Sequence, residues 1–269
     1  MPRDDALWFV DIAAKRVHRY HPHADRHDAW TAPEKVSFIL PTRRGDFIVG
    51  LQSGLRRFDP DTGGFEHFAD IEAHLPDNRL NDACIAPDGS LWFGSMHDLQ
   101  TRHCGALYRV DRHAQALRLD EGYVITNGPA FSPDGRIFYH TDSLARIIYA
   151  YDCDASGCLT DKRVLVRIDE SVGVPDGTTV DAEGCLWAAI WGGWAVHRYS
   201  PAGELIESVP LPCSNVTKVA FGGADRRTVY VTTAWAGLSE TERSAQPQAG
   251  DLFAFRSTVS GLLPMLLEL

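Results

Sequence analysis

Three polar residues stand at one fixed distance ahead of an aromatic residue. Asn81 lies eleven positions before Trp92, Asn127 eleven before Phe138, and Asp176 eleven before Trp187. Their local strings are RLNDACIAPDG, TNGPAFSPDG and PDGTTVDAEG. Side-chain oxygens arriving from separate segments at one register suit a hard divalent cation such as Ca²⁺, Mg²⁺ or Mn²⁺. Asn and Asp beside Gly also make ordinary turns, so the matched register is what points to a site. Other chemistries leave no trace, since no G-x-S-x-G elbow, H-E-x-x-H pair or G-x-x-x-x-G-K-[ST] loop occurs. His18, His21, His23 and His27 cluster, but on a strand and hairpin that read as outer surface.

The elements that must position these groups form a repeat. A turn rich in Asp and Gly leads into a short strand, as in ALWFVDI, DFIVGL, SLWFGSM, RIFYHTD, CLWAAIW and TVYVTTA. The corresponding aromatics are Trp8, Phe47, Trp92, Phe138, Trp187 and Tyr230, at intervals of 39 to 49 residues. Each unit continues into a second strand and a hairpin with turn residues at its tip, such as PDTGG, DASG or PAGE. No stretch has helical periodicity. Evenly spaced strands with one aromatic motif per unit predict an all-β, six-bladed β-propeller spanning residues 1–269 as a single domain. A plain sandwich does not require this regular repeat.

In that fold the polar register opens the innermost strand of a blade, so the three side chains would converge on a central channel. Blades two and six place Val36 and Val219 there, and neither can ligate a metal. The same register in the first repeat would precede residue 1, so the first blade reads as lacking its N-terminal inner strand. Two long loops are expected, 94–105 and 234–250. Trp191 and Trp194 read as packing residues, and the apolar tail GLLPMLLEL as a last packed segment.

The strings NRLNDACIAPDGSLWFGSM, TNGPAFSPDGRIFY and VPDGTTVDAEGCLW, with LWFVDI, GALYRV and FGG around them, span most of the chain. They resemble the regucalcin and gluconolactonase family, the senescence-marker-protein-like sugar lactonases. The resemblance implies one divalent cation (Ca²⁺, Zn²⁺, Mn²⁺ or Mg²⁺) held by a Glu, an Asn and an Asp, with Asn127 and Asp176 matching the last two. It implies that Asp176 is also the general base, that Arg79 and Asn81 contact the sugar hydroxyls, and that His97 and Asp98 fall where another substrate contact lies. At these last two the family's more familiar acidic pair is replaced. The Glu ligand sits in relatives in a G-E-x-P-x-W segment ahead of the LWFVDI strand. This sequence begins after that point, so it reads either as an N-terminally shortened version of a longer protein or as a chain that truly lacks this ligand.

The expected reaction is metal-assisted opening of an aldonolactone to its acid. The alternative is a metal- or ligand-binding propeller with little or no catalysis, because the Glu ligand is not in the sequence. The net charge of −10, from 26 Lys and Arg against 36 Asp and Glu, argues against a nucleic-acid partner. No apolar run is long enough to span a bilayer, and the N-terminus lacks the pattern of a signal peptide. Six cysteines without an export signal read as reduced thiols in a cytoplasmic protein. The expected partner is a small sugar lactone, and the expected state a monomer or weak homo-oligomer.

Overall fold

The computed structural model describes residues 5–111 and 113–269. The alternating stretches become antiparallel strands, and among the described residues there are 22 of them with one short helix. The chain divides into two compact units, one ending at Thr126 and taking in Pro264–Leu269, the other Asn127–Leu263.

The first unit holds three sheets, each strand paired with its sequence neighbour. The first is β1 (Leu7–Asp11), β2 (Arg16–His21) and β3 (Arg26–Thr31). The second is β4 (Val36–Pro41), β5 (Phe47–Leu51), β6 (Gly54–Asp59) and β7 (Gly64–Asp70). The third is β8 (Asn78–Ile85), β9 (Leu91–His97), β10 (Gly105–Val110) and β11 (Ala116–Tyr123). The segment where the first repeat would carry an inner strand precedes Asp5 and lies outside the described residues.

The second unit opens with a four-stranded sheet of β12 (Thr126–Phe131), β13 (Ile137–Asp142), β14 (Ile147–Cys153) and β15 (Leu159–Arg167). Two further runs follow. One is β16 (Val174–Val180), β17 (Leu186–Trp191), β18 (Ala195–Tyr199) and β19 (Leu205–Pro210); the other is β20 (Asn215–Gly222), β21 (Thr228–Ala234) and β22 (Leu252–Arg256). They count as one seven-stranded sheet, but a single residue pair, Trp191 with Asn215, joins them.

The repeat aromatics sit on β1, β5, β9, β13, β17 and β21. Trp92 and Trp187 are 1% exposed and Phe138 is fully buried, each side chain worth roughly 1.5–3 kcal/mol of burial. In four of the repeats an Asp of the preceding turn, Asp88, Asp134, Asp181 or Asp225, accepts from a backbone N–H near the strand start. Asp88 accepts from Ser90 N at 2.9 Å, and Asp181 from Cys185 N at 2.9 Å and from Trp187 Nε1 at 2.9 Å. Asp181 is fully buried and is compensated by Arg198, whose Nε donates to it at 2.8 Å. A buried carboxylate without that partner would be strongly destabilising.

The strands that precede these turns are irregular where the polar register falls. Pairing shifts between Leu80 and Ala83 in β8 and between Pro175 and Thr178 in β16, so Asn81 and Asp176 each lie in a bulge. Similar shifts occur between Val36 and Phe38 in β4 and between Val216 and Lys218 in β20. Bulges re-aim side chains and accompany sites for that reason.

Three expectations need correction. Strands β9 and β10 extend into the loop expected at 94–105, leaving only 98–104 between them. The loop expected at 234–250 contains the helix α1 (Glu240–Ala245), capped by a reciprocal Ser239–Glu242 box. Trp194 is 44% exposed in a tight hairpin instead of packed, although Trp191 is half-buried. The six cysteines are free thiols, and no described helix is long and apolar enough to cross a membrane.

Candidate functional site

In the first unit the sequence N-R-L-N-D folds as the bulged start of β8, and a chain of polar contacts runs through it. Lys35, just ahead of β4, donates to Asp98 Oδ2 at 2.5 Å. Arg79 Nε donates to Asp98 Oδ1 at 3.0 Å, and its Nη1 donates to Asn81 Oδ1 at 2.6 Å and to Leu80 O at 3.0 Å. Asn81 Nδ2 then donates to Thr126 O at 2.7 Å. Arg79 and Asn81 are mostly buried, at 11% side-chain and 9% residue exposure. The guanidinium is therefore held in one orientation, as polyol recognition by directional donors requires.

These partners separate Asn81 from the other two residues of the register. Its side-chain oxygen faces a guanidinium, which suits substrate binding and not a cation. Asp98 sits between two cations. Burial works to raise its pKa, but the hydrogen bonds and charges of Lys35 and Arg79 outweigh this and leave it below the usual carboxylate value. His97, at 4% exposure, accepts at Nδ1 from Thr101 N at 3.3 Å, with Thr101 Oγ1 at 3.1 Å. That bond fixes its ring at the end of β9 and leaves Nε2 as its other polar atom.

In the second unit Asn127 and Asp176 lie on β12 and β16. Each is followed by a glycine whose missing side chain admits a neighbouring strand. A Cβ on Gly128 would lie 2.3 Å from Thr178 Oγ1, which itself donates to Gly128 O at 2.5 Å. A Cβ on Gly177 would lie 2.3 Å from Lys218 Cδ and 2.8 Å from Thr217 O. The strands of the two candidate ligand positions are thus joined where the Thr178 side chain packs on Gly128 and bonds its carbonyl. Asn127 is 6% exposed, and its Nδ2 donates to Ser143 Oγ at 2.9 Å, which commits the amide nitrogen and orients the oxygen the other way.

An amide oxygen and a carboxylate are hard donors that fit a divalent cation, with water or substrate completing the shell. Zn²⁺ generally takes nitrogen or sulfur ligands as well. Among the described residues no group of three or more His, Cys, Asp or Glu side chains is placed to hold a metal. His18 and His27 instead pair with each other, Nδ1 to Nε2 at 2.8 Å, stacked beside Phe9.

Sequence reasoning missed two cations. Lys35 and Lys218 lie twelve residues before Phe47 and Tyr230, one position ahead of the register that gave Val36 and Val219. The signal was present, offset by one residue beside a bulged strand.

The family model described as the SMP-30/Gluconolactonase/LRE-like region matches residues 1–235. The chain is 34% identical over 260 residues to a 6-deoxy-6-sulfogluconolactonase of Pseudomonas putida, covering 96% of this chain and 89% of the relative. It is 33% identical to an L-arabinolactonase of Azospirillum brasilense, covering 97% and 87% of the two chains. Among solved structures, a calcium-binding protein, regucalcin, from Agrobacterium tumefaciens superposes with a TM-score of 0.96 at 30% identity, covering all of this chain and 92% of that one. Matched by that model over most of its length, and at 34% identity by a relative of nearly the same length, the chain belongs to the SMP-30/gluconolactonase/LRE-like family.

Proposed function

We propose that this protein is a divalent-metal-dependent lactonase that opens a sugar aldonolactone to the aldonic acid. The observation that carries the reading is the placement of Asn127 and Asp176 on strands joined through the Thr178–Gly128 contact, in a chain with relatives named as lactonases. The strand groups of three, four, four, four, four and three support a six-bladed propeller as a single domain. Six free thiols support a reducing, cytoplasmic setting.

Asn127 and Asp176 would hold the ion. A bound divalent cation would supply charge to polarise the lactone carbonyl and to acidify a water. Asp176 takes the proton from the attacking water as its oxygen adds to the carbonyl carbon. The acyl C–O bond then breaks, and the ring oxygen leaves as a hydroxyl with a proton returned to it. Arg79, held by Asp98, and Asn81, held by Arg79 and Thr126, donate to and orient the sugar hydroxyls. His97 Nε2 is a further substrate contact. Hexono- and pentonolactones are the substrate class, in line with the names of the two lactonase relatives.

Acid release from glucono- and pentonolactones tests this. Chelator should abolish it and Ca²⁺ or Mn²⁺ restore it, while Asp176→Ala should lower kcat by about 10²–10⁴-fold. Equal rates for the chelated protein, the Asp176→Ala variant and the untreated protein would overturn the reading. Metal binding without turnover of any lactone would favour a binding protein instead.

A further inference from the structure

Lys218 is a lysine whose stem takes the place of a side chain. It lies against Gly177, the residue after Asp176, with Cδ 2.3 Å and Cα 3.2 Å from where a Cβ would stand. Its Nζ donates to Thr178 O at 3.3 Å. The ammonium therefore ends on β16, the strand that carries Asp176. Pairing of β20 shifts between Val216 and Lys218, and that of β16 between Pro175 and Thr178, so two bulges face each other here. Lys218 is half-buried, where a fixed charge is screened less than at the surface. Beside it Thr217 Oγ1 and Thr232 Oγ1 lie 2.8 Å apart.

We propose that Lys218 is a built-in cation of the Asn127–Asp176 site and sets how tightly a divalent ion binds there. The proposal rests on the reading that those two residues hold the ion. The ammonium sets a positive charge beside the Asp176 carboxylate when no divalent ion is present. It repels that ion when it arrives, since like charges at close range in a partly desolvated site oppose each other. This chain would then bind its metal weakly and exchange it readily. It would keep its carboxylate compensated in the metal-free form.

Calorimetric titration of the chelator-treated full chain with Ca²⁺ or Mn²⁺ alone tests it, with circular dichroism to establish that each variant is folded. Lys218→Met should bind at least about tenfold more tightly than the wild type. Lys218→Gln, which keeps a polar head for the Thr178 carbonyl, should do the same, and Lys218→Arg should stay weak. Metal-free Lys218→Met should melt at a lower temperature than the metal-free wild type, with added Ca²⁺ closing the gap. If Asp176→Asn abolishes binding while Lys218→Met and Lys218→Gln bind within twofold of wild type, the role of Lys218 is overturned and the ion site stands. If Asp176→Asn binds the ion as the wild type does, the site itself is wrong, and the inference falls with it.

Discussion

Asp98 does two things for the substrate cluster: it orients Arg79 and it compensates Lys35. Its pKa lies below the ordinary 3.8 because the two cations outweigh burial. A carboxyl with a depressed folded-state pKa contributes stability that is present above the unfolded value and lost as pH falls through the folded one. The stability gap between wild type and Asp98→Asn should therefore be constant near neutrality and shrink below about pH 3.8, read from urea midpoints at each pH. A gap independent of pH would mean that the carboxylate's charge is irrelevant. Arg79→Lys should be costlier to binding than to chemistry. Lysine cannot reach Asp98 and Asn81 with one planar fork, so KM should rise about tenfold with kcat changed far less. Asn81, Asn127 and Asp176 stand out in the sequence because type and spacing recur together, whereas Arg79 is singled out only by the resemblance of N-R-L-N-D to the family. Lys35 and Lys218 do not stand out, because each lies one residue ahead of that register, where the count meets Val36 and Val219.

Strand identity was readable throughout, since each repeat carries its own turn and alternation. What period-2 alternation cannot reveal is where a ladder slips. The shifts at Asn81–Asp82 and Asp176–Gly177 interrupt alternation over two residues and look in the sequence like a turn. Helix α1 was missed for a different reason. Six residues give too little periodicity to detect, and none of its side chains is buried, so only the Ser239–Glu242 cap announces it. Gly128 is where element geometry and site meet. It adopts φ +52°, and a Cβ there would strike both Thr178 Oγ1 and Thr141 Oγ1. Gly128→Ala should lower stability by about 1–3 kcal/mol and should also weaken Ca²⁺ binding, because Asn127 is its chain neighbour. A stability loss with unchanged Ca²⁺ affinity would show that the β12–β16 lock supports the fold and not the site.

At the scale of the whole chain, the C-terminal segment returns to the first unit. The sequence reading of an apolar tail as a packed segment holds for part of it. Leu267 is fully buried in the cluster that includes Phe38, Ile48 and Leu55, while Leu263 remains 70% exposed. The backbone is paired as well: Leu267 N donates to Pro41 O at 3.0 Å, Arg43 N donates to Leu267 O at 3.1 Å, and Glu268 N donates to Gly89 O at 3.0 Å. Arg43 and Glu268 add an exposed ion pair, which contributes little. Apolar content alone could not separate these leucines, because all of GLLPMLLEL is similarly hydrophobic. The difference comes from which residue faces the β4–β5 turn. Leu267→Ala should therefore cost about 2–5 kcal/mol, as emptying a packed core position does. Leu263→Ala should stay within about 0.5 kcal/mol, as at an exposed site. Urea denaturation of the two variants gives the comparison, and equal midpoints would mean that the tail is not seated on the first unit in solution.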